Sequence, residues 1–363
     1  MREDRTPNVA VVGAAGFVGR VLLRHLEDLN IPVTAVVRGA PELSVDGDFH
    51  AVHSQRTAYA GPRFDIVVNL AYPAAVPGYE YPRYDHEIAD TVERLISDGG
   101  RLIQVSTLAV FGAALDRPLS ADSVAEVHDS AYVESKVNAE LLFMGQQAAH
   151  GLSLDIVRLG NVWGYGSGTW AVPIVQKLIT GRPIGVVGAT GYSNTTDVAN
   201  VASYLSFLVK HGDTGAGIRY HHLAEFSGVR WSEWIDPIAQ AIGVEPVLAD
   251  SSVLHMPASA VQEISHVLTP IKPRSLYRRL SEERVSGSWT RALVRRLPSP
   301  AQARLKSSGA VYAAAPEYGR SEQTFLAIMA GQREFQSVVL AGWEAALSKD
   351  ESLESVLRWL NRG

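Results

Sequence analysis

The feature that most limits how this chain can fold is an alternation. Short apolar runs with the composition of buried strands recur along its first half, and longer stretches of helical spacing follow them. The runs are VAVVG from Val9, PVTAVV (32–37), FDIVVNLA (64–71), RLIQVS (101–106) and LSLDIVRL (152–159); a helical pattern from about Tyr132 to His150 separates the last two. Strands that alternate with helices pair in parallel, and a parallel sheet is covered by helices on both faces. The expected class is therefore α/β, a doubly wound parallel sheet. Ligands of such sheets lie beyond the carboxyl ends of the strands. Those ends carry Arg38, Asn69 and Ala71, Ser106 and Thr107, and Arg158 to Gly164.

Between the first strand and the first helix stands VVGAAGFVGR, with Gly13, Gly16 and Gly19 three residues apart. Phe17, Val18, Val21, Leu22 and Leu26 then repeat at helical spacing as far as Leu29. A strand, a glycine turn and a helix form a candidate phosphate cradle. One glycine permits the bend, another lets backbone approach a pyrophosphate, and the last lets helix and sheet close together. A tight strand-to-helix connection without a ligand would use glycine as well.

In AYVESKVNAEL, Tyr132 and Lys136 are four residues apart and share a helix face, which lets the ammonium approach the phenol. A free phenol titrates near 10, and bringing it to about 7 takes roughly 4 kcal/mol of preferential phenolate stabilisation, to which a nearby cation contributes. An ordinary surface pair has the same spacing. Thr107 adds to the functional reading, because a hydroxyl at a strand end can share a substrate oxygen with the tyrosine.

Composition narrows the classes. At 363 residues the chain exceeds one average domain, and the expected division is 1–165, mainly dinucleotide-binding, and 166–363, mainly a smaller α+β substrate lobe with segments returning to the first. A hydrophobic content of 46% and a net charge of −5 describe a globular protein and give no reason to expect a nucleic-acid partner. The absence of cysteine excludes disulfides, thiolate nucleophiles and cysteine-based zinc sites. It suits a reducing compartment, and cytoplasm is the expectation. MREDRTPN is charged, no cleavable signal is expected, and no apolar run approaches the roughly 18 residues of a transmembrane segment. No metal is expected: the adjacent His221 and His222 would point to opposite faces of a strand, and His50 and His53 read as surface residues.

Taken in order, the glycine turn, VSTLAVFG, YVESK and RLGNVWGYG closely resemble the extended short-chain dehydrogenase/reductase family, in its NAD(P)-dependent sugar epimerase/dehydratase branch. The likeness covers at least residues 9–200, and the closing LAGWEAALSKDESLESVLRWLNRG is similar to the family's C-terminal pattern. It implies a Rossmann domain in which Gly13, Gly16 and Gly19 hold the dinucleotide pyrophosphate, with Phe17, Val18, Leu70 and Ala71 also binding the cofactor. It further implies that Tyr132 is the general acid/base, that Lys136 holds the nicotinamide ribose and lowers the tyrosine pKa, and that Thr107 orients the reacting oxygen. Asn161 and Trp163 fall at the substrate end. A homodimer is expected.

Departures from the pattern refine these expectations. Val37 is followed by Arg38 where NAD-preferring members tend to carry an acid, which favours NADP over NAD, although a strand-end arginine can also be simply solvated. Asp48, with Phe49 beside it, matches by its distance from the FDIVVNLA run the family's adenine-contacting aspartate, or is a solvated turn acid. Leu108 and Ala109 stand where dehydratases of the family carry an acidic pair, which argues against dehydration. The GATGYSNTTDVANVA stretch offers Thr190, Ser193 and Asn194 but no arginine for a nucleotide-sugar diphosphate, and Glu87 or its neighbours replace an asparagine that supports the site. Segment 272–306 carries ten Lys or Arg against two Glu, with Trp289, Ala292, Leu293 and Leu297 at helical spacing beside Arg291, Arg295 and Arg296. It reads either as a packed amphipathic helix with solvated arginines or as an anion contact for a diphosphate or acidic carrier. The resulting expectation is hydride transfer at a carbinol or ketone of a sugar or nucleotide-sugar-like substrate, by an epimerase or a ketoreductase. The alternatives are an NADPH-dependent ketoreductase of a non-sugar molecule and a non-catalytic cofactor-binding regulatory protein.

Overall fold

The structure, a computed structural model, describes residues 6–37, 51–54, 61–72, 80–112, 130–212, 215–255 and 320–361. Arg38, Asp48, Phe49, His50, the side chain of His53 and the basic segment 272–306 lie outside the described residues. The chain divides into two compact units, the first comprising Met1–Val162, Thr196–Glu225 and Phe335–Leu347 and the second the remainder.

The first unit is built on seven strands: β1 (Val9–Val12), β2 (Val33–Val37), β3 (Ala51–Ser54), β4 (Phe64–Asn69), β5 (Ile96–Thr107), β6 (Ser153–Leu159) and β7 (Gly217–Leu223). Their order is β7-β6-β5-β4-β1-β2-β3, with every pair parallel. This is the doubly wound arrangement expected from the alternation. The order reverses at β1, which pairs with β2 on one side and β4 on the other, so the crevice for a ligand opens beyond Val12 and Asn69.

Both faces of the sheet are buried. Val9, Val11, Ala35, Val68, Ile103 and Val157 pack in one cluster with Leu22, Leu23 and Leu26 of α1 (Phe17–Asp28) and with Val201, Leu205 and Leu208 of the helix Val198–His211. Ala10, Val12, Val36, Val67, Leu102 and Ile156 pack on the other face with Ala89, Val92 and Leu95 of α2 (Tyr81–Leu95) and Phe143 of α3 (Ala131–His150). Period-two side-chain alternation sends neighbouring residues to opposite helical layers, which is why VAVV has no polar position. Each fully buried Val or Leu contributes about 1.5–3 kcal/mol of transfer free energy.

Charged residues inside this unit are paired. Asp155 of β6 meets Arg101 at 2.6 Å, Arg219 at 2.9 Å and His221 Nε2 at 2.9 Å, and these partners hold its carboxyl well below the usual carboxylate range against the opposing effect of burial. His221 Nδ1 lies 2.7 Å from the Tyr204 hydroxyl, which accepts from the Leu340 amide at 2.9 Å and so ties the segment Phe335–Leu347 to the sheet. His222 points the other way, its ring 5.2 Å from that of Phe111. Arg158 and Glu140 form a two-point buried pair at 3.1 and 2.8 Å, with the guanidinium over the rings of Phe111 and Tyr220.

The second unit contains the helices Ala171–Thr180, Trp231–Ile242, Arg320–Ala330 and Lys349–Asn361, and a two-stranded parallel sheet of Gly185–Val186 with Leu248–Ala249. Its core is aromatic. The rings of Trp163 and Trp234 lie 4.8 Å apart and those of Trp170 and Trp231 5.0 Å apart, with Phe226 against Trp234. Glu322 bridges Lys177 at 2.8 Å and Arg182 at 2.9 Å.

Candidate active site

The glycine turn stands at the sheet's reversal point. Gly13 donates to Val36 O at 3.0 Å and adopts φ +83°, a left-handed conformation that glycine reaches at no steric cost. A methyl at Gly13 would meet Ala71 N at 2.9 Å and Leu70 C at 3.0 Å. At Gly19 it would lie 2.6 Å from the carbonyl oxygens of both Gly13 and Ala14. The turn is thus pressed against the backbone after β4 on one side and against its own helix on the other. Gly16 is the N-cap of α1 and offers its first-turn amides no side-chain acceptor, and that turn contains no acidic residue. Amides at a helix N-terminus without such an acceptor, beside a turn with no room for a side chain at Gly13 or Gly19, suit a pyrophosphate. Phe17 and Val18 open this helix, and Leu70 and Ala71 form the facing wall, so the residues present fit the dinucleotide expected from the sequence.

That wall is itself held in place. Buried Asn69 donates to Gln104 Oε1 at 2.7 Å and accepts from the Ala71 amide at 3.1 Å, while Leu70 N donates to Val12 O at 2.9 Å. Strand β5 therefore positions the loop that shapes the cradle.

Thr107 ends β5 and caps the short 3₁₀ turn Leu108–Phe111, accepting from Ala109 N at 3.2 Å. Tyr132 lies in the first turn of α3, where the Thr107 hydroxyl acts on its phenol. Although 38% of Tyr132 is exposed, the protein around its hydroxyl pushes the phenol up to about 12, with Thr107 acting downward and Tyr72 upward. The Lys136 ammonium donates to Val105 O at 3.2 Å and lies 5.2 Å from the Tyr72 ring centre, and the Tyr72 and Tyr132 rings meet edge-on at 5.5 Å. The shared helix face thus places Lys136 and Tyr132 around Tyr72. The expected electrostatic lowering of the phenol by Lys136 is not among the influences acting on Tyr132 in this structure. Burial lowers the lysine to about 8, against the upward pull of Asp85 and Glu140.

Two residues of this site were missed from the sequence. Tyr72 directly follows the strand-end NLA, a position that could have drawn attention to it. Asp85 had no such signal. On α2, Glu87 is exposed and pairs with Arg83 at 3.0 Å, while Asp85 is turned inward and accepts from Ser135 Oγ at 2.6 Å. Asp85 lines one small pocket with Asn69, Tyr72, Ser135 and Lys136.

Asn161 is partly buried two residues beyond β6, in the first unit. Trp163, expected at the substrate end, belongs to the second unit, where its ring is fully buried against Trp234. An indole gains more from this aromatic core than from an open crevice wall. Among the described residues no group of three or more His, Asp or Glu could hold a metal ion, and no helix is long and apolar enough to cross a membrane.

The chain is 28% identical over 194 residues to a UDP-glucose 4-epimerase of Azospirillum brasilense, a match covering 48% of this chain and 55% of that relative's length. A solved structure of MoeE5 in complex with UDP-glucuronic acid and NAD superposes with a TM-score of 0.57 at 19% identity, covering 98% of this chain and 99% of the other. TunA, an NAD-dependent NDP-hexosamine 5,6-dehydratase involved in tunicamycin biosynthesis, matches with a TM-score of 0.51 at 21% identity, over 64% of this chain and 82% of its own. At such identities the two structures speak for the fold. Residues 9–220, the stretch that builds the glycine cradle, Thr107, Tyr132 and Lys136, match the model of the NAD dependent epimerase/dehydratase family, and the chain belongs to that family.

Proposed function

We propose that this chain uses a nicotinamide dinucleotide to move hydride at a carbinol or ketone of a sugar, carried in a nucleotide-sugar-like substrate, and that the net reaction is epimerisation. The observation that carries this reading is the placement of Thr107, Tyr132 and Lys136 in the same unit as an uncapped glycine cradle, at the carboxyl ends of parallel strands. The bound dinucleotide would supply a hydride acceptor and donor at one carbon. Thr107 orients the substrate oxygen, Tyr132 takes its proton and returns it, and Lys136 holds the nicotinamide ribose hydroxyls. Leu108 and Ala109 place no carboxyl after Thr107, which supports epimerisation over loss of water. Asn161 is the proposed contact at the substrate end.

A second reading, net reduction of a ketone, is favoured by the phenol itself. With its pKa pushed up to about 12, Tyr132 is a protonated donor throughout the neutral range. Identifying any dinucleotide released on denaturing freshly purified protein separates the two: a tightly retained cofactor supports the epimerase, and an empty site the reductase. Tyr132→Phe should abolish turnover while leaving dinucleotide affinity within about twofold, since only the proton carrier is deleted. Full activity in that variant would remove the assignment. On cofactor choice, Arg38 supports NADP, whereas MoeE5 was solved with NAD. A homodimer acting in the cytoplasm completes the reading.

A further inference from the structure

Lys136 is a nearly fully buried cation, and its charge needs an explanation. The groups facing it are the Val105 carbonyl of β5, the Tyr72 ring after β4, Glu140 one turn along α3 and Asp85 of α2. Glu140 is already engaged, because both of its carboxylate oxygens bind the Arg158 guanidinium, at 3.1 and 2.8 Å. Val105 offers a dipole and Tyr72 a ring face, neither of which carries a full negative charge. Asp85, which lines one small pocket with Lys136, Tyr72 and Ser135, is the remaining carboxylate. It is 4% exposed; one oxygen accepts from Ser135 Oγ, and the other has no hydrogen-bond partner among the described residues. Its other polar neighbours are Asn138 of α3 and His86 of its own helix.

We propose that Asp85, fixed by Ser135, is the counter-charge that holds Lys136 protonated and in place for the cofactor ribose, and is therefore a positioning residue of the active site. Only its last step, from Lys136 to the ribose, rests on the cofactor reading above. A buried ammonium without a partner would shed its proton, since desolvation penalises the charged form by several kcal/mol. Neutral lysine keeps a lone pair and loses the charge that strengthens its hydrogen bonds to hydroxyls. Burial pushes the Asp85 carboxyl up, while Ser135, Lys136, His86 and Asn138 pull it down. The two charges, which line the same pocket, thus stabilise one another across the α2–α3 contact.

The experiment is an NMR titration of the Lys136 side chain in protein carrying isotope-labelled lysine, with the signal assigned by its loss in Lys136→Met. In the parent the midpoint should fall near about 8. In Asp85→Asn it should move down by about one pH unit, the lower end of what a close opposite charge contributes. Asp85→Glu should stay close to the parent, and Ser135→Ala should move in the same direction as Asp85→Asn by less. NAD affinity measured calorimetrically from pH 6 to 9.5 should lose its alkaline limb at correspondingly lower pH in Asp85→Asn. An unchanged or higher midpoint in Asp85→Asn overturns the proposal, whatever the thermal stability of the variant. Should that variant not fold, an unchanged midpoint in Ser135→Ala does the same. If the parent binds no dinucleotide at any pH, the cofactor reading fails while the titration still decides the role of Asp85.

Discussion

Replacing Gly13 with alanine tests the cradle where it is tightest. The new methyl would sit 2.9 Å from Ala71 N and 3.0 Å from Leu70 C, both backbone atoms, where ordinary van der Waals contact begins near 3.4 Å. Neither can swing aside, because Leu70 N is bonded to Val12 O and Ala71 N to Asn69, which is in turn fixed by Gln104. Holding alanine at φ +83° costs about 1–2 kcal/mol, and overpacking a close contact adds about 1–3 kcal/mol. The total, about 2–5 kcal/mol, corresponds to a fall in melting temperature of roughly 5–15 °C for a unit of this size. Differential scanning calorimetry with and without NAD reads both consequences. The melting temperature should fall, and any rise produced by NAD should shrink, because relieving the clash displaces the wall of the proposed pyrophosphate cradle. Gly145→Ala is the internal control. A methyl there meets nothing within 4 Å, in the interior of α3, so it should stabilise by about 0.5–1 kcal/mol. A Gly13→Ala protein that melts within 1 °C of the parent and gains as much from NAD would refute the geometric account of the turn.

Glu140→Gln leaves the Arg158 guanidinium buried without its carboxylate, which should cost about 3–5 kcal/mol in urea unfolding; a loss under 1 kcal/mol would mean that the flanking Phe111 and Tyr220 rings suffice. Asp155 has a folded pKa depressed below its unfolded value of about 3.9, so its stabilisation is complete well above that pH and is lost as pH falls through and below it. Asp155→Asn should therefore flatten the stability profile between about pH 5 and 3 as well as destabilise the fold at neutral pH, and an acid limb as steep as the parent's would contradict the assignment. NADP should bind more tightly than NAD, and Arg38→Ala should erase most of the difference, since one charge-assisted contact is worth about 1.5–3 kcal/mol, or roughly 10–150-fold; equal affinities in the parent would remove Arg38 from the site.

What the sequence revealed and what it hid follow from the range of the forces involved. Strands such as VAVV and IVVN, the helix beginning at Phe17 and the long α3 are local patterns, set by apolar spacing and by glycine punctuation, and each was legible. The short β3 carries no comparable run and was not anticipated. Spacing put Tyr132 and Lys136 on one face, but it contained no information that Tyr72, sixty residues before the tyrosine, meets both. Asp85 was hidden for the same reason: with Arg83 and Glu87 close by in YPRYDHEIAD, it is one more charge on a polar-looking helix until α3 supplies Ser135. The motif RLGNVWGYG likewise held no information that the Trp163 ring packs against Trp234, over seventy residues away.

That core has a spectroscopic consequence. Of the tryptophans in the described residues, Trp163, Trp170, Trp231, Trp234 and Trp359 belong to the second unit, and Trp343 alone to the first. Indoles packed at 4.8 and 5.0 Å couple their excited states, so the paired rings should give strong near-ultraviolet circular dichroism that vanishes as soon as their mutual orientation is lost. Among the described residues, indole emission and this chirality then report mainly on the second unit, while the proposed dinucleotide site lies in the first. Recording both along one denaturation curve makes each half of the molecule its own reporter, without attaching a label to either.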